Sequence, residues 1–289
     1  MKKYLIAELI VGIRCFGKYL EEALVPYEVM HNGEPDMTII IQEEKEIYPE
    51  EGKKVRETDR RLSICTEDYE INYRKTTNGY SAYRESYFGQ QREVYGFITD
   101  DLEKENLDVA FLEYRSAGFF FSRALMDYNG FCLHASAIAV NNQAILFSGP
   151  SNVGKSTHTG LWKQYFGKEK VSVINDDNPA IRLKDEGFYA YGTPFCGSSG
   201  INENRKVPLK AIVFLEQAPV NTIERVGNKE AAILLFNHTL REKCSEKRIS
   251  KVLELYDVLL KFIPVYKLKC RPDQEAIEVA YQEILGETE

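Results

Sequence analysis

The sequence predicts an α/β fold: a nucleotide-binding core preceded by a β-rich N-terminal domain. The stretch Gly149-Pro150-Ser151-Asn152-Val153-Gly154-Lys155-Ser156 fits G-x-x-x-x-G-K-[ST], the phosphate-binding loop (P-loop, Walker A) pattern. It lies between an apolar run at residues 144–147 and a segment, beginning at Thr157, that can open a helix. Strand, glycine loop, helix is the setting the pattern requires. Upstream of residue 112 the chain reads as short strand-like runs separated by turn dipeptides, and downstream of about 115 helix and strand patterns alternate. The predicted domains are therefore 1–112, β-rich and of no evident role, and 113–289, the nucleotide-binding domain with a helical tail.

In the first domain the strand-like runs are residues 4–13, 37–42, 61–65, 70–74, 80–86 and 109–114. Thr77-Asn78-Gly79-Tyr80 between two alternating runs predicts a hairpin. Residues 42–59, dense in Glu, Lys and Arg, read as a solvated loop. In the second domain, residues 116–128 carry apolar groups at helical spacing, closed by Asn129-Gly130 like a helix C-cap. Two strands at 132–140 and 144–147 follow, joined by a tight turn at Asn141-Asn142-Gln143. After the glycine loop come a helix to about Phe166 and strands at 171–175, 180–183, 188–191 and 209–215. The tail predicts helices at 229–240 and 248–261, a strand at 265–270 after Pro264, and a last helix at 272–285.

With 289 residues, 44% hydrophobic and 28% charged, the chain is an ordinary globular protein of one large or two modest domains. A net charge of −7 argues against nonspecific binding to nucleic acid or an anionic membrane. The N-terminal apolar run meets Glu8 and Arg14 too soon for a signal peptide, and no run approaches the ~20 residues of a membrane span. The six scattered cysteines form no C-x-x-C pair. These features predict a cytoplasmic protein with reduced thiols and no zinc site.

Each loop position has a chemical reason. Gly149 and Gly154 permit backbone angles that let the N–H groups of the loop, made of Gly149, Pro150, Ser151, Asn152, Val153, Gly154, Lys155, Ser156 and Thr157, converge on an anion. The helix starting near Lys155 points its positive end at the same place. Lys155 is expected to reach the β- and γ-phosphates and Ser156 to ligate Mg2+. Asp176-Asp177, about twenty residues later at a strand end, suits phosphoryl transfer, which needs a carboxylate for the metal and a group to receive the acceptor's proton. Taken alone, Asp-Asp-Asn-Pro is only a turn. His134, on the strand before the loop strand with small neighbours Ala135 and Ser136, titrates near neutrality and suits proton handling.

The block from Leu133-His134-Ala135-Ser136-Ala137 through Gly149–Thr157 to Asn175-Asp176-Asp177 resembles the C-terminal kinase domain of HPr kinase/phosphorylase. It is also similar to the smaller HPr-kinase-like proteins of peptide-modification clusters, over roughly residues 115–240. Phosphoenolpyruvate carboxykinases share the nucleotide fold. The resemblance implies Asp176 as the acid that activates the acceptor hydroxyl, His134 as the histidine supporting it, and Asp177 beside the metal with Ser156. It departs from true HPr kinases in a longer loop-to-acid segment and in lacking the motif that supports the phosphorylase reaction.

The expected activity is ATP- and Mg2+-dependent transfer of phosphate to a Ser/Thr hydroxyl of a peptide or small protein. The alternatives are a nucleotide-binding accessory protein without transfer chemistry and a kinase of a small molecule. Arg205 and Lys206 are further candidates for phosphate or acceptor contact, with a solvated loop as the alternative, as are Asn202 and Asn204. His158 is placed near the nucleotide base, and His238 and Arg241 on a surface helix. Neither acceptor nor oligomeric state is legible.

Overall fold

The computed structural model of the chain describes residues 1–44, 47–59, 61–65, 70–76, 79–81, 86–88, 93–99, 108–240 and 246–286. It is a mixed α/β structure whose contacts cluster into two compact units. One comprises Met1–Ala124 with Arg241–Ile249, the other Leu125–Leu240 with Ser250–Glu289.

The first unit contains β1 (Lys2–Ile6), β2 (Leu9–Arg14), α1 (Lys18–Leu24), β3 (Met37–Glu44), β4 (Lys53–Glu57), β5 (Arg61–Cys65), β6 (Glu70–Thr76), β7 (Gly79–Ser81), β8 (Ser86–Phe88), β9 (Glu93–Thr99) and α2 (Val109–Leu125). One sheet has the order β1-β2-β3-β9-β8 and a second β4-β5-β6-β7. The run at 4–13 is two strands rather than one. Ala7 and Glu8, at φ 50° and 59°, turn the chain between β1 and β2. Neither residue is a usual turn former, so nothing in the sequence signalled that break. The expected hairpin at 77–80 is present as antiparallel β6 and β7 with Thr76 opposite Gly79; Thr77 and Asn78 lie outside the described residues. Within 42–59, β4 pairs with β5 and all five of its residues are exposed.

The strand expected at 109–114 is instead the start of α2. Asp108 accepts the Phe111 N–H at 3.0 Å, an N-cap. Glu113, Ser116, Ala117, Phe120, Phe121 and Ala124 are buried at helical spacing. Over seventeen residues that period outweighs the strand-like look of the first six. The expected boundary at 112/113 therefore falls inside a continuous helix. Asn129, at φ 54°, closes the following 3-10 turn in the left-handed conformation expected of a cap.

The second unit contains β10 (Gly130–Cys132), β11 (Ala135–Val140), β12 (Gln143–Ser148), α3 (Lys155–Phe166), β13 (Val171–Asn175), β14 (Ala180–Lys184), β15 (Gly187–Tyr191), β16 (Lys206–Gln217), β17 (Thr222–Arg225), α4 (Asn228–His238), α5 (Glu246–Phe262), β18 (Val265–Cys270) and α6 (Gln274–Leu285), with α5 beginning in the first unit. The sheet order is β10-β14-β15-β16-β12-β11-β13, with β18 also on β16 and β17 on β18. Pairings β12–β16 and β16–β18 are parallel and the others antiparallel. Asn141 and Asn142, both at positive φ, make the two-residue turn between β11 and β12. Asp273, not Pro272, caps α6, its carboxylate accepting the Ala276 N–H.

The central strands are buried on both faces, as their near-continuous apolar runs require. Ala135, Ala137, Ala139 and Leu146 face a core with Leu235 of α4 and Val252, Tyr256 and Leu259 of α5. Ile138, Val140, Ile145 and Phe147 face the other core, with Trp162 of α3 and Ile277 and Ala280 of α6. No described helix is long and apolar enough to cross a membrane. Among the described cysteines, Cys15, Cys132, Cys196 and Cys270 carry free thiols.

Candidate functional site

Strand direction brings the candidate residues together. β11 runs antiparallel to both β12 and β13, with Ala135 opposite Ser148 and Ala137 opposite Asn175. The start of β11, the end of β12 and the end of β13 thus share one sheet edge. His134 precedes β11, the glycine loop follows β12, and Asp176-Asp177 follow β13. Two main-chain bonds fix His134 and its neighbour: His134 N–H donates to the His238 carbonyl at 2.9 Å, and Ala135 N–H to the Asp177 carbonyl at 3.0 Å. Residue 238 is half-buried, its ring 5.2 Å from that of Phe214, so it supports the site's backbone rather than lying loose on the surface.

The loop backbone takes the angles its glycines permit, with Gly149 at φ 147° and Gly154 at φ 106°. Gln217, at the end of β16, reaches the Asn152 and Val153 carbonyls at 3.5 and 3.4 Å. Gly154 opens α3 without any side-chain cap, so the positive end of that helix is left for another partner. Lys155 is buried, and its Nζ donates to the Gly149 and Pro150 carbonyls at 3.2 and 3.0 Å. It also meets His134 Nε2 at 3.0 Å. Burial pulls its pKa below the usual lysine value, opposed by the charges of Asp177 and Asp176.

His134 Nδ1 lies 3.0 Å from Asp177 Oδ1. With Nε2 accepting from the lysine ammonium, Nδ1 carries the ring proton and donates to the carboxylate. The histidine thus joins Lys155 to Asp177 rather than supporting Asp176. The other Asp177 oxygen accepts from Asn178 Nδ2 at 2.7 Å. Asp176 accepts instead from the Ser136 hydroxyl at 2.7 Å.

Asn175, fully buried, shapes the acid turn. Its side-chain oxygen accepts the N–H groups of Asp177 and Asn178, while its amide donates to the carbonyl and hydroxyl of Thr193. Such Asx geometry is a reason for Asn at this strand end that no motif in the sequence signals. Gly192 lies where an added Cβ would be 1.8 Å from the Glu203 carbonyl oxygen, so the 202–205 segment can run against β13.

The structure chooses between the alternatives for Arg205 and Lys206 and overturns the placement of His158 near a nucleotide base. Arg205 reaches Ser172 and Asn142, at the opposite end of β11 and β13 from the glycine loop, which removes it from any phosphate bound there. Lys206 stacks over Tyr189 at 4.3 Å. His158 is buried beneath the loop helix between Phe147 and Trp162, accepting the Trp162 indole N–H at 3.1 Å, and is not open to a nucleotide base. Burial pushes its pKa down to about 4. Asn202 donates to Cys196 Sγ at 3.2 Å, within its own loop. Arg241 lies outside the described residues. No cluster of three His, Cys, Asp or Glu suited to a metal occurs among the described residues.

The chain belongs to the family of the SynChlorMet cassette protein ScmC, whose model matches residues 98–275. No curated protein matches. Among solved structures, the Hpr(Ser) kinase/phosphatase from Coxiella burnetii matches with 10% identity and a TM-score of 0.28, over 54% of this chain and 93% of that one.

Proposed function

We propose that this protein is an ATP- and Mg2+-dependent kinase with an HPr-kinase-like P-loop core, transferring a phosphoryl group to a Ser/Thr hydroxyl of a peptide or small protein. The observation that carries the reading is the gathering of Lys155, His134 and the acid pair at the edge where the glycine loop emerges. A polyphosphate fits these residues: the uncapped helix end and the lysine ammonium supply positive charge, and the loop backbone supplies N–H donors. ATP supplies the phosphoryl group, with Mg2+ offsetting charge on its oxygens.

In this reading Lys155 and the backbone N–H groups of Ser151, Asn152, Val153, Gly154, Ser156 and Thr157 hold the phosphates, with Gly149 and Pro150 shaping the loop. The Ser156 hydroxyl and Asp177 would hold the metal, and Mg2+ needs few protein ligands. Asp176 keeps one carboxylate oxygen clear of the Ser136 bond and receives the acceptor's proton there. The acceptor oxygen forms the new bond to phosphorus, the bond to the bridging oxygen breaks, and ADP leaves.

The test is transfer of label from the γ-phosphate of ATP to a Ser/Thr peptide library. Label transfer that persists unchanged in Asp176→Asn removes the assigned base. A second reading, a nucleotide-binding accessory protein, draws on the hydrogen bonds that already engage both Asp177 oxygens. Calorimetric binding of MgATP with no turnover, against the library or water, supports that second reading.

A further inference from the structure

Behind the acid pair lies a buried pair of hydroxyls that phosphate binding and metal binding do not use. Ser136, on β11, and Thr159, on α3, are both buried, and their oxygens are 2.9 Å apart. Ser136 Oγ is also 2.7 Å from Asp176 Oδ1. Proton counting gives this contact a direction. A hydroxyl has one proton, and an ionised carboxylate can only accept. The Ser136 proton therefore goes to Asp176, so Thr159 is the one hydroxyl of the pair that can donate across it. Thr159 Oγ1 also approaches the Lys155 and Ser156 carbonyls at 3.3 and 3.2 Å, longer contacts that share its proton weakly.

We propose that Ser136 and Thr159 are positioning residues for Asp176: a one-way chain, Thr159 to Ser136 to Asp176, that holds one carboxylate oxygen and presents the other to the acceptor. This rests on the reading of Asp176 as the base. Thr159 sits one helical turn beyond Lys155 and Ser156 on α3. The chain therefore ties the carboxylate to the same rigid helix that opens at the glycine loop. Grip and base are set relative to each other before any ligand arrives, which is where orientation contributes to rate. Ser136 acts on Asp176 directly, and Thr159 only through Ser136.

The experiment compares wild type, S136A, T159V, T159S and the double variant S136A/T159V, with D176N as control. Turnover of MgATP is measured with water as acceptor, MgATP affinity by calorimetry, and the ligand-free S136A protein by crystallography. S136A is expected to lower kcat about tenfold or more while MgATP affinity stays within about twofold. T159V is expected to lower it several-fold, T159S to recover most of that loss, and the double variant to match S136A, because a residue acting only through Ser136 has nothing left to act on. In ligand-free S136A the Asp176 carboxylate is expected in more than one rotamer.

Wild-type kcat in S136A beside an inactive D176N overturns the positioning role and leaves the kinase reading standing. Additive losses in the double variant overturn the chain. An active D176N overturns the base, and this inference with it. Should the wild type transfer nothing to water, the rotamer result decides alone: a fixed Asp176 in S136A overturns the positioning role, and a freed one upholds it.

Discussion

Each unit buries a charged side chain on backbone partners, and the two burials differ in what surrounds them. In the first unit Glu113 is fully buried and accepts the N–H groups of Phe16 and Gly17 at 2.7 and 2.6 Å. A Cβ on Gly17 would press on the carboxylate, which has no exposed surface. In the second unit Lys155 is also buried, but one of its three partners is the imidazole of His134, and His134 and Asp177 remain about a third exposed. A closed charge holds the chain in place. A charge whose partners reach solvent can exchange them for a ligand.

The largest expected effect tests the open side. D176N should reduce phosphoryl transfer by about 10²–10⁴-fold with nucleotide affinity unchanged, read as kcat against calorimetric Kd. On the closed side, E113A should lower the stability of the first unit by about 2–4 kcal/mol, since one buried and one part-buried N–H donor lose their acceptor. Denaturant unfolding would measure it, and MgATP affinity at saturating stability should not move. A loss of affinity equal to the loss of stability would erase the contrast between the two charges.

Acid should strike the second unit through His158. Its folded pKa of about 4 lies below the ordinary 6.5, so the unfolded chain takes the proton first. The histidine's contribution is complete above pH 6.5 and is lost as pH falls from 6.5 to 4, amounting to about 3 kcal/mol at the bottom of that window. Denaturation midpoints across this range should fall less steeply in H158Q than in wild type. The smallest effect is expected at Gly197, which holds φ 67° beside the Asp177 side chain. G197A should cost about 1 kcal/mol in left-handed strain and shift the contact on Asp177, seen as a modest fall in melting temperature.

The loop, the strand before it and the helix after it were legible because all three are local: glycines at fixed offsets, a short apolar run, a helix start. The tail helices and β18 were legible from period and from Pro264 for the same reason. The β1–β2 turn was not, since Ala7 and Glu8 adopt angles their residue types disfavour. Nor was α2, whose first six residues look like a strand until the window is lengthened. His158 was misplaced because closeness in sequence to the glycine loop says nothing about which face of a helix a side chain occupies, and the alternatives for Arg205 stayed open because only sheet register shows at which end of the strands it lies.

By itself the sequence determined the glycine loop, the acid pair and the histidine as residue types suited to phosphate chemistry, because each follows from local backbone freedom or side-chain chemistry. Only the tertiary structure decided their pairing. Antiparallel β11 between β12 and β13 sets His134 between Lys155 and Asp177, leaves Asp176 to Ser136, and carries Arg205 to the far edge. Partners across strands depend on sheet register and direction, which non-local hydrogen bonding and core packing set.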